Sequence, residues 1–373
     1  MNYLMITDDE ALAALCHRMQ QTDAIALDTE FVRTRTFYPL LGLIQIYDGE
    51  QLALIDPLQI TAWEPFCSLL SNPAIIKYLH AASEDLDVFI HHFNQVPANL
   101  MDTQLLAAFT GSPLSCGFST LVQNLEGVAL DKSEARTDWL ARPLTGQQCQ
   151  YAAADVFYLL PVARKLKTAA MADGRWRMAE QESELLCQRR QVVPAAEEVW
   201  RDISHASQLR PRQLAALQRL AKWRLETARE KNSAINFVIR EELLWKIARY
   251  LPGSLAELGQ LGLGGQEIRL YGNALLSCVE QAVALDESAL PPSLLTLADK
   301  TGYKNAFKLL KTEICHVATD ANILPELLAS RRQINQLLNW HWQLKPGNEM
   351  PELLTQWRGE LLREKITPRL AEL

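Results

Sequence analysis

Residues 25–31 read IALDTEF, a pattern that predicts a buried strand carrying two carboxylates. Side chains two positions apart on a strand share a face, so Asp28 and Glu30 point one way while Leu27 and Thr29 point the other. Two like charges side by side repel each other, and each loses solvation when it is buried. Mg²⁺ prefers oxygen ligands of this kind and would relieve both penalties. The stretch therefore predicts a metal site, with acids at a solvated strand end as the alternative.

The flanking sequence predicts a mixed α/β sheet. Residues 42–47 and 51–56 read as two strands joined by Asp48-Gly49, a strong hairpin signal, so the first long strands are expected to be antiparallel neighbours. Before them, a short strand leads into a helix capped by Asp8 or Asp9. After them, the pattern predicts helix 61–71, strand 75–79, helix 83–94, a strand or turn at 98–102, and helices 103–110, 117–125 and 145–169.

Beyond residue 169 the strand signal disappears, and the sequence predicts only helices. Residues 171–208 are expected to form a connector between a sheet domain, residues 1–170, and two helical stretches, residues 209–288 and 293–373. The two stretches are of comparable length, and residues 237–240 and 325–328 occupy matching places just before a helix. A duplicated helical module is therefore expected.

Length and composition favour a multidomain globular protein. A chain of 373 residues is long for one core, so two or three domains are expected. No segment approaches the roughly 18 apolar residues that cross a bilayer, and the first residues lack the features of a signal peptide. The seven cysteines are scattered and never form C-x-x-C, which argues against structural zinc and disulfides and for a cytoplasmic protein.

The charge distribution is uneven, although the net charge of −7 alone speaks against a nucleic-acid partner. Residues 1–200 contain 14 lysines and arginines against 25 acidic residues, whereas residues 201–373 contain 23 against 19. An acidic first half can hold cations, and a basic second half can meet phosphates.

Two further segments place acidic side chains on helices. Ser83 is a good N-cap for a helix whose first turn carries Glu84 and Asp85, although acids at a helix N-terminus also occur because they complement the helix dipole. Tyr151 and Asp155 are four residues apart in a predicted helix and project from one face, with three alanines between them. A packed tyrosine and an exposed acid would give the same pattern, so neither segment alone defines a site.

Together, the three segments resemble the DEDD exonuclease superfamily: D-x-E on a first strand, an aspartate opening a helix, and Y-x-x-x-D on a late helix. Tyr151 places the sequence in the tyrosine-bearing branch. Further segments look like the bacterial ribonuclease D family, namely residues 80–85 (HAASED), 130–133 (LDKS), 137–144 (TDWLARPL) and 151–155 (YAAAD). The resemblance implies a ribonuclease H-like α/β catalytic domain followed by two all-α domains similar to HRDC domains.

The resemblance also implies a 3′→5′ exoribonuclease that trims tRNA precursors and other small structured RNAs and releases nucleoside 5′-monophosphates. The implied ligands of two Mg²⁺ or Mn²⁺ ions are Asp28, Glu30, Asp85 and Asp155. Zinc is not expected, because no histidine or cysteine is well placed. Tyr151, with an ordinary pKa of about 10, is a poor base and is expected to orient the attacking water. The alternatives are a DNA-directed 3′→5′ exonuclease and a non-catalytic nucleic-acid-binding scaffold.

The candidates for RNA contact are basic or aromatic, and each could instead be a core or surface residue. Around the carboxylates they are Phe31, Arg33, Arg35, His80, Lys132 and Arg136. In the helical stretches they are Arg210, Arg212, Arg219, Lys222, Arg224, Lys304, Lys308, Lys311, Arg331, Arg332, Trp340, His341 and Trp342. Residues 262–265 (GLGG) lack a G-x-x-x-x-G-K-[ST] motif, so they predict a turn and no nucleotide cofactor. A monomer without membrane contact is expected.

Overall fold

A computed structural model describes residues 1–131, 133–344 and 349–373. The chain divides into two compact units. The first, called the sheet unit, comprises Met1–Val32, Pro39–Val192 and Gly302–Leu373, and the second, called the helical unit, comprises Arg33–Tyr38 and Val193–Thr301. In the part of the chain that the structure describes, no helix is both long enough and apolar enough to span a membrane.

The sheet unit is built on a mixed sheet. Its strands are β1 (Leu4–Ile6), β2 (Ala24–Val32), β3 (Leu40–Tyr47), β4 (Leu52–Ile55), β5 (Ile76–Leu79) and β6 (Leu100–Asp102). Their order across the sheet is β1-β4-β3-β2-β5-β6. β3 is antiparallel to β2 and β4, and the other neighbouring strands are parallel. The predicted mixed sheet, in which three consecutive strands early in the chain are antiparallel neighbours, is confirmed, and these strands lie in the interior of the sheet.

The helices follow the predicted alternation and then continue to the end of the chain. They are α1 (Asp9–Met19), α2 (Glu64–Ser71), α3 (Ser83–Phe93), α4 (Thr103–Phe109), α5 (Phe118–Glu126), α6 (Gly146–Ala172), α7 (Trp176–Gln191), α8 (Pro211–Glu230), α9 (Ile235–Val238), α10 (Glu241–Tyr250), α11 (Leu255–Gln260), α12 (Gly265–Val283), α13 (Tyr303–Asp320), α14 (Pro325–Leu328), α15 (Arg331–His341) and α16 (Gln356–Ala371). Asp8 caps α1 as predicted, because its side chain accepts from the amide of Ala11.

The two faces of the sheet carry different kinds of side chain. Leu27 and its neighbours on one face join an apolar core with side chains of α1, α2 and α3. The other face, which carries Asp28 and Glu30, packs against α6. Ala152 and Ala153 are fully buried there, so the α6 backbone can approach the strands closely. The alternation of side chains along β2 thus separates the core from the acidic residues.

The last helical stretch is fastened to α7 within the sheet unit by a buried ion pair. Arg358 on α16 and Glu182 on α7 are 4% and 6% exposed, and the guanidinium contacts the carboxylate directly. Arg358 also donates to the carbonyls of Leu327 and Leu328 at 3.0 and 2.9 Å. The indole nitrogen of Trp357 donates to the same carboxylate at 3.3 Å. The buried charges are therefore paired and hydrogen-bonded, as burial requires.

The helical unit has its own core, formed mainly where α8 packs against α10 and α12. Residues 262–264 form the turn between α11 and α12 where a turn at 262–265 was predicted, and Gly262 adopts a φ of +103° that favours glycine. The four-residue helices α9 and α14 precede α10 and α15 in the same way. This repeated succession supports the predicted duplication.

Arg358→Met is expected to lower the free energy of unfolding by about 3 kcal/mol, because it leaves the Glu182 carboxylate buried without its cation. The matched control is Arg177→Met, since Arg177 and Glu360 link the same two helices through exposed side chains 3.4 Å apart. Loss of that exposed pair should change the free energy by less than about 0.5 kcal/mol. Urea unfolding measures both, and equal effects would contradict the assignment.

Candidate active site

Three carboxylates meet where β2 lies beneath α6. Oxygen atoms of Asp28, Glu30 and Asp155 all lie within 4.8 Å of one another. Asp28 and Glu30 share a face of β2, and Asp155 projects from the α6 helix that covers this face. Asp28 and Asp155 are more than 120 positions apart in the sequence, and the fold brings them together with Glu30 in one acidic cluster.

Asp85 lies beside this cluster in the first turn of α3. It is 6% exposed, and the hydroxyl of Thr29 donates to its carboxylate at 2.5 Å. Its charge is felt at Asp28, whose pKa it raises. In this structure, therefore, three of the predicted ligands form the tight cluster, while the fourth is held next to it through Thr29.

The turn that presents Asp85 is fixed by Asp102, a residue that the sequence did not single out. The prediction that Ser83 caps α3 is wrong, because Ser83 is the first residue of the helix and no side chain caps it. Instead, the Asp102 carboxylate accepts from the amides of Ala81 and Ala82 at 3.1 and 2.9 Å. It also caps α4. The sequence could have indicated Asp102 as the N-cap of the helix that begins at Thr103, but it gave no sign of the contact with the turn before α3.

Burial raises the pKa of every carboxyl in the site, and repulsion between the carboxylates raises it further at Asp28 and Glu30. Burial is the largest cause throughout, and it raises the pKa of Asp85 and of Asp155 to about 7. Burial, followed by the charges of Asp155 and Asp85, raises the pKa of Glu30 to about 9. The pKa of Asp28 is also raised well above its usual range, by burial and then by its acidic neighbours. Without a cation, the site therefore retains protons near neutral pH.

Tyr151 lies one turn before Asp155 on α6, and its ring centroid is 6.2 Å from that of Trp139. Burial raises the pKa of its phenol above the usual range, and the charges of Asp155 and Glu30 raise it further. The hydroxyl consequently stays protonated at neutral pH. It can donate a hydrogen bond, but it cannot accept a proton as a general base.

The segment 137–144 holds Trp139 against the sheet through Arg142. The Arg142 guanidinium pairs with both oxygens of Asp56 at 2.7 and 2.8 Å and donates to the Gly42 carbonyl at 2.7 Å. A side chain at Gly42 would meet the Trp139 carbonyl at 2.6 Å, so glycine is required at this close approach. The segment 137–144 (TDWLARPL) thus holds the Trp139 ring beside Tyr151.

The predicted RNA contacts around the site differ in their surroundings. Phe31 is partly buried and packs against the apolar core. Both ring nitrogens of His80 have partners inside the protein, the Thr103 hydroxyl at 3.0 Å and the Cys116 carbonyl at 3.1 Å. Arg35 and Arg136 are exposed, as is Arg33, whose Nε donates to the carbonyl of Phe37 at 3.2 Å. Lys132 lies outside the described residues.

Three of the basic residues predicted to follow RNA in the helical unit have partners within that unit. Arg224 is 3% exposed and donates to the Asn236 side chain at 2.7 Å, so its prediction as a phosphate contact is wrong. Arg212 donates to three carbonyls at the C-terminal end of α12. Lys222 pairs with Glu197 at 2.8 Å. Arg224 thus links α8 to α9, and Arg212 links α8 to the end of α12.

Comparison with known proteins identifies the class. A family model described as "3'-5' exonuclease" matches residues 3–170, and two HRDC models match residues 213–279 and 301–366, the latter described as "Ribonuclease D, C-terminal HRDC domain". The protein is therefore a 3′→5′ exonuclease with two HRDC domains.

Whole-chain relatives narrow this further. Ribonuclease D of Escherichia coli is 59% identical over 372 residues, covering 100% of this chain and 99% of the relative, and that of Haemophilus influenzae is 38% identical, covering 99% and 93%. The crystal structure of E. coli RNase D superimposes with a TM-score of 0.98, over 100% of this chain and 99% of that one. The chain belongs to the ribonuclease D family and is a 3′→5′ exoribonuclease.

Membership of the DEDD exonucleases implies dependence on divalent cations, and the residues of the site fit such ions. The cluster offers only carboxylate oxygens, which suit hard cations such as Mg²⁺ and Mn²⁺. The raised pKa values show that these oxygens lack compensating positive charge within the protein.

Cation binding and pH should be linked in thermal unfolding. The carboxyl pKa values of the folded metal-free protein lie above the unfolded values of about 4, so its stability falls as the pH rises from about 4 to about 9. Mn²⁺ must displace the retained protons, and its stabilising effect should therefore grow over the same range. Melting in EDTA and in Mn²⁺ at about pH 5.5 and about pH 8.5 tests this. An effect of Mn²⁺ that is independent of pH, or unchanged in Asp155→Asn, would contradict it.

Proposed function

We propose that Asp28, Glu30, Asp85 and Asp155 hold two divalent cations, Mg²⁺ or Mn²⁺, and that the protein trims the 3′ ends of tRNA precursors and other small structured RNAs. The observation that carries this proposal is the partly buried cluster of carboxylate oxygens within 4.8 Å of one another. One chain supplies all four carboxylates, which supports a monomer as the active form. The released products are nucleoside 5′-monophosphates.

The side chains of the site have different roles in phosphodiester hydrolysis. When bound, two divalent cations activate water and stabilise the departing oxygen. The four carboxylates fix the positions of those ions, and Thr29 and Asp102 fix the position of Asp85. The protonated Tyr151 hydroxyl orients the attacking water by donating a hydrogen bond or by excluding other orientations.

The RNA assignment is supported by the relatives. The E. coli structure is described as an exoribonuclease involved in structured RNA processing. Matched single-stranded RNA and DNA, each with Mg²⁺ or EDTA, would test the assignment when the products are identified. Release of 5′-mononucleotides from RNA only with Mg²⁺ is expected, and preferential digestion of DNA would overturn the RNA assignment.

The second helical stretch presents a basic stripe that suits an RNA backbone. Lys304, Lys308 and Lys311 are exposed at intervals that place them on one face of α13. None of the three has an ion-pair partner among the residues that the structure describes. Arg331 on α15 lies over the ring of Phe307 on α13, with its guanidinium carbon 5.5 Å from the ring centroid. We assign this stripe to contacts with RNA phosphates.

Asp155→Asn should abolish turnover, because it removes a carboxylate from the cluster, whereas Tyr151→Phe should slow turnover by about 100-fold through loss of orientation. RNA affinity should be nearly unchanged in Tyr151→Phe. Single-turnover digestion of labelled RNA and equilibrium binding measure the two effects separately. Full activity in Tyr151→Phe would rule out its proposed role.

Substituting Lys304, Lys308 and Lys311 with glutamine should weaken RNA binding and flatten its dependence on salt. Three lost phosphate contacts correspond to a decrease of about 2 in the slope of log K against log salt for a single strand. Binding titrations over a range of salt concentrations measure the slope, and circular dichroism checks the fold. Lys365→Gln, an exposed lysine on α16, is the control. An unchanged slope in the triple variant would exclude the stripe.

A further inference from the structure

Gln45 is a buried polar residue whose hydrogen bonds are missing. It lies in the middle of β3, its exposure is 0%, and neither the oxygen nor the nitrogen of its carboxamide has a partner among the described residues. Buried amides almost always have partners, because an unsatisfied donor or acceptor loses its interaction with water without compensation. A fully buried, unpaired glutamine therefore calls for a physical explanation.

The register of the sheet places Gln45 beside the acidic cluster. On the antiparallel pair β2 and β3, Gln45 is directly opposite Asp28, so the two side chains share the face that packs against α6. Side chains of such cross-strand partners start about 5 Å apart. Two further neighbours of Gln45 on this face are apolar and buried, Leu43 along β3 and Leu54 opposite on β4.

The support of Asp85 is already complete without Gln45. Asp85 accepts from Thr29, and the turn before it is fixed by Asp102. Asp28 has no comparable side-chain donor among the hydrogen bonds of the described residues. Gln45 is thus the one polar side chain that the register places directly opposite Asp28, and it has both a donor and an acceptor to offer.

We propose that Gln45 is a positioning residue for the cation site. Its carboxamide completes its hydrogen bonds when the cations are bound, by contacting their hydration shell, and in this way it holds Asp28 in the binding geometry. Mg²⁺ and Mn²⁺ sites of this type retain several waters, which supplies the missing partners. Residues that orient metal ligands typically affect metal affinity by 10- to 100-fold. The inference rests on the proposed function.

Gln45→Met tests this inference, because methionine has nearly the same volume and no hydrogen-bonding requirement. In EDTA, the melting temperature of Gln45→Met should equal or exceed that of the wild type, since the unpaired amide is gone. Its affinity for Mn²⁺ in calorimetry should nevertheless fall by about 10-fold or more. Gln45→Leu provides a second apolar variant.

The control is Leu54→Met, which changes packing in the same layer one strand farther from Asp28. It should alter the melting temperature slightly and leave the affinity for Mn²⁺ unchanged. Wild-type affinity for Mn²⁺ in both Gln45 variants would overturn the inference, as would an equal loss of affinity in Leu54→Met. Destabilisation of both Gln45 variants in EDTA would also overturn it, because Gln45 would then stabilise the metal-free fold. If the wild type itself bound no Mn²⁺, the proposed function would fail instead.

Discussion

Repulsion among partly buried carboxyl groups is the constraint on which the site depends. Asp28, Glu30 and Asp155 converge at the β2–α6 junction, where burial has removed most of the water that would screen them. No arginine or lysine forms an ion pair with these three groups in the described residues. The fold can hold them together only by keeping protons or by binding cations, which is why acidity and cation affinity are two aspects of one property.

Holding such a cluster requires rigid supports, and these are mostly hydrogen bonds between side chains and backbone. Asp102 fixes the turn before α3, and Arg142 fixes the segment that carries Trp139. Thr145 and Gln148 form a capping box that sets the start of α6, and therefore the direction in which Asp155 projects. Each support acts on the backbone near a functional residue, so the geometry exists before any ligand arrives.

The sequence predicts the features that depend on neighbouring residues and misses those that depend on contacts between distant residues. The hairpin at Asp48-Gly49 and the alternation along β2 depend on near neighbours, and both predictions are confirmed. The N-cap of α3 was predicted wrongly, because the residue that fixes the preceding turn is Asp102 on β6, which follows α3 in the chain. Arg224 was taken as exposed because its burial depends on residues 235 and 236, which return to it only in the folded domain. The contact of Glu182 with Arg358 spans 176 positions and has no local signature.

The uneven charge of the chain acquires a physical meaning from these placements. The acids of the cluster are partly buried and would repel phosphate until cations neutralise them, whereas the lysines of α13 are exposed and are proposed to attract phosphate with or without cations. Attraction of RNA and access of its end to the carboxylates are thereby assigned to different surfaces. Cations then decide whether a bound RNA can approach the site, so removing them should stop hydrolysis while the stripe on α13 still favours binding.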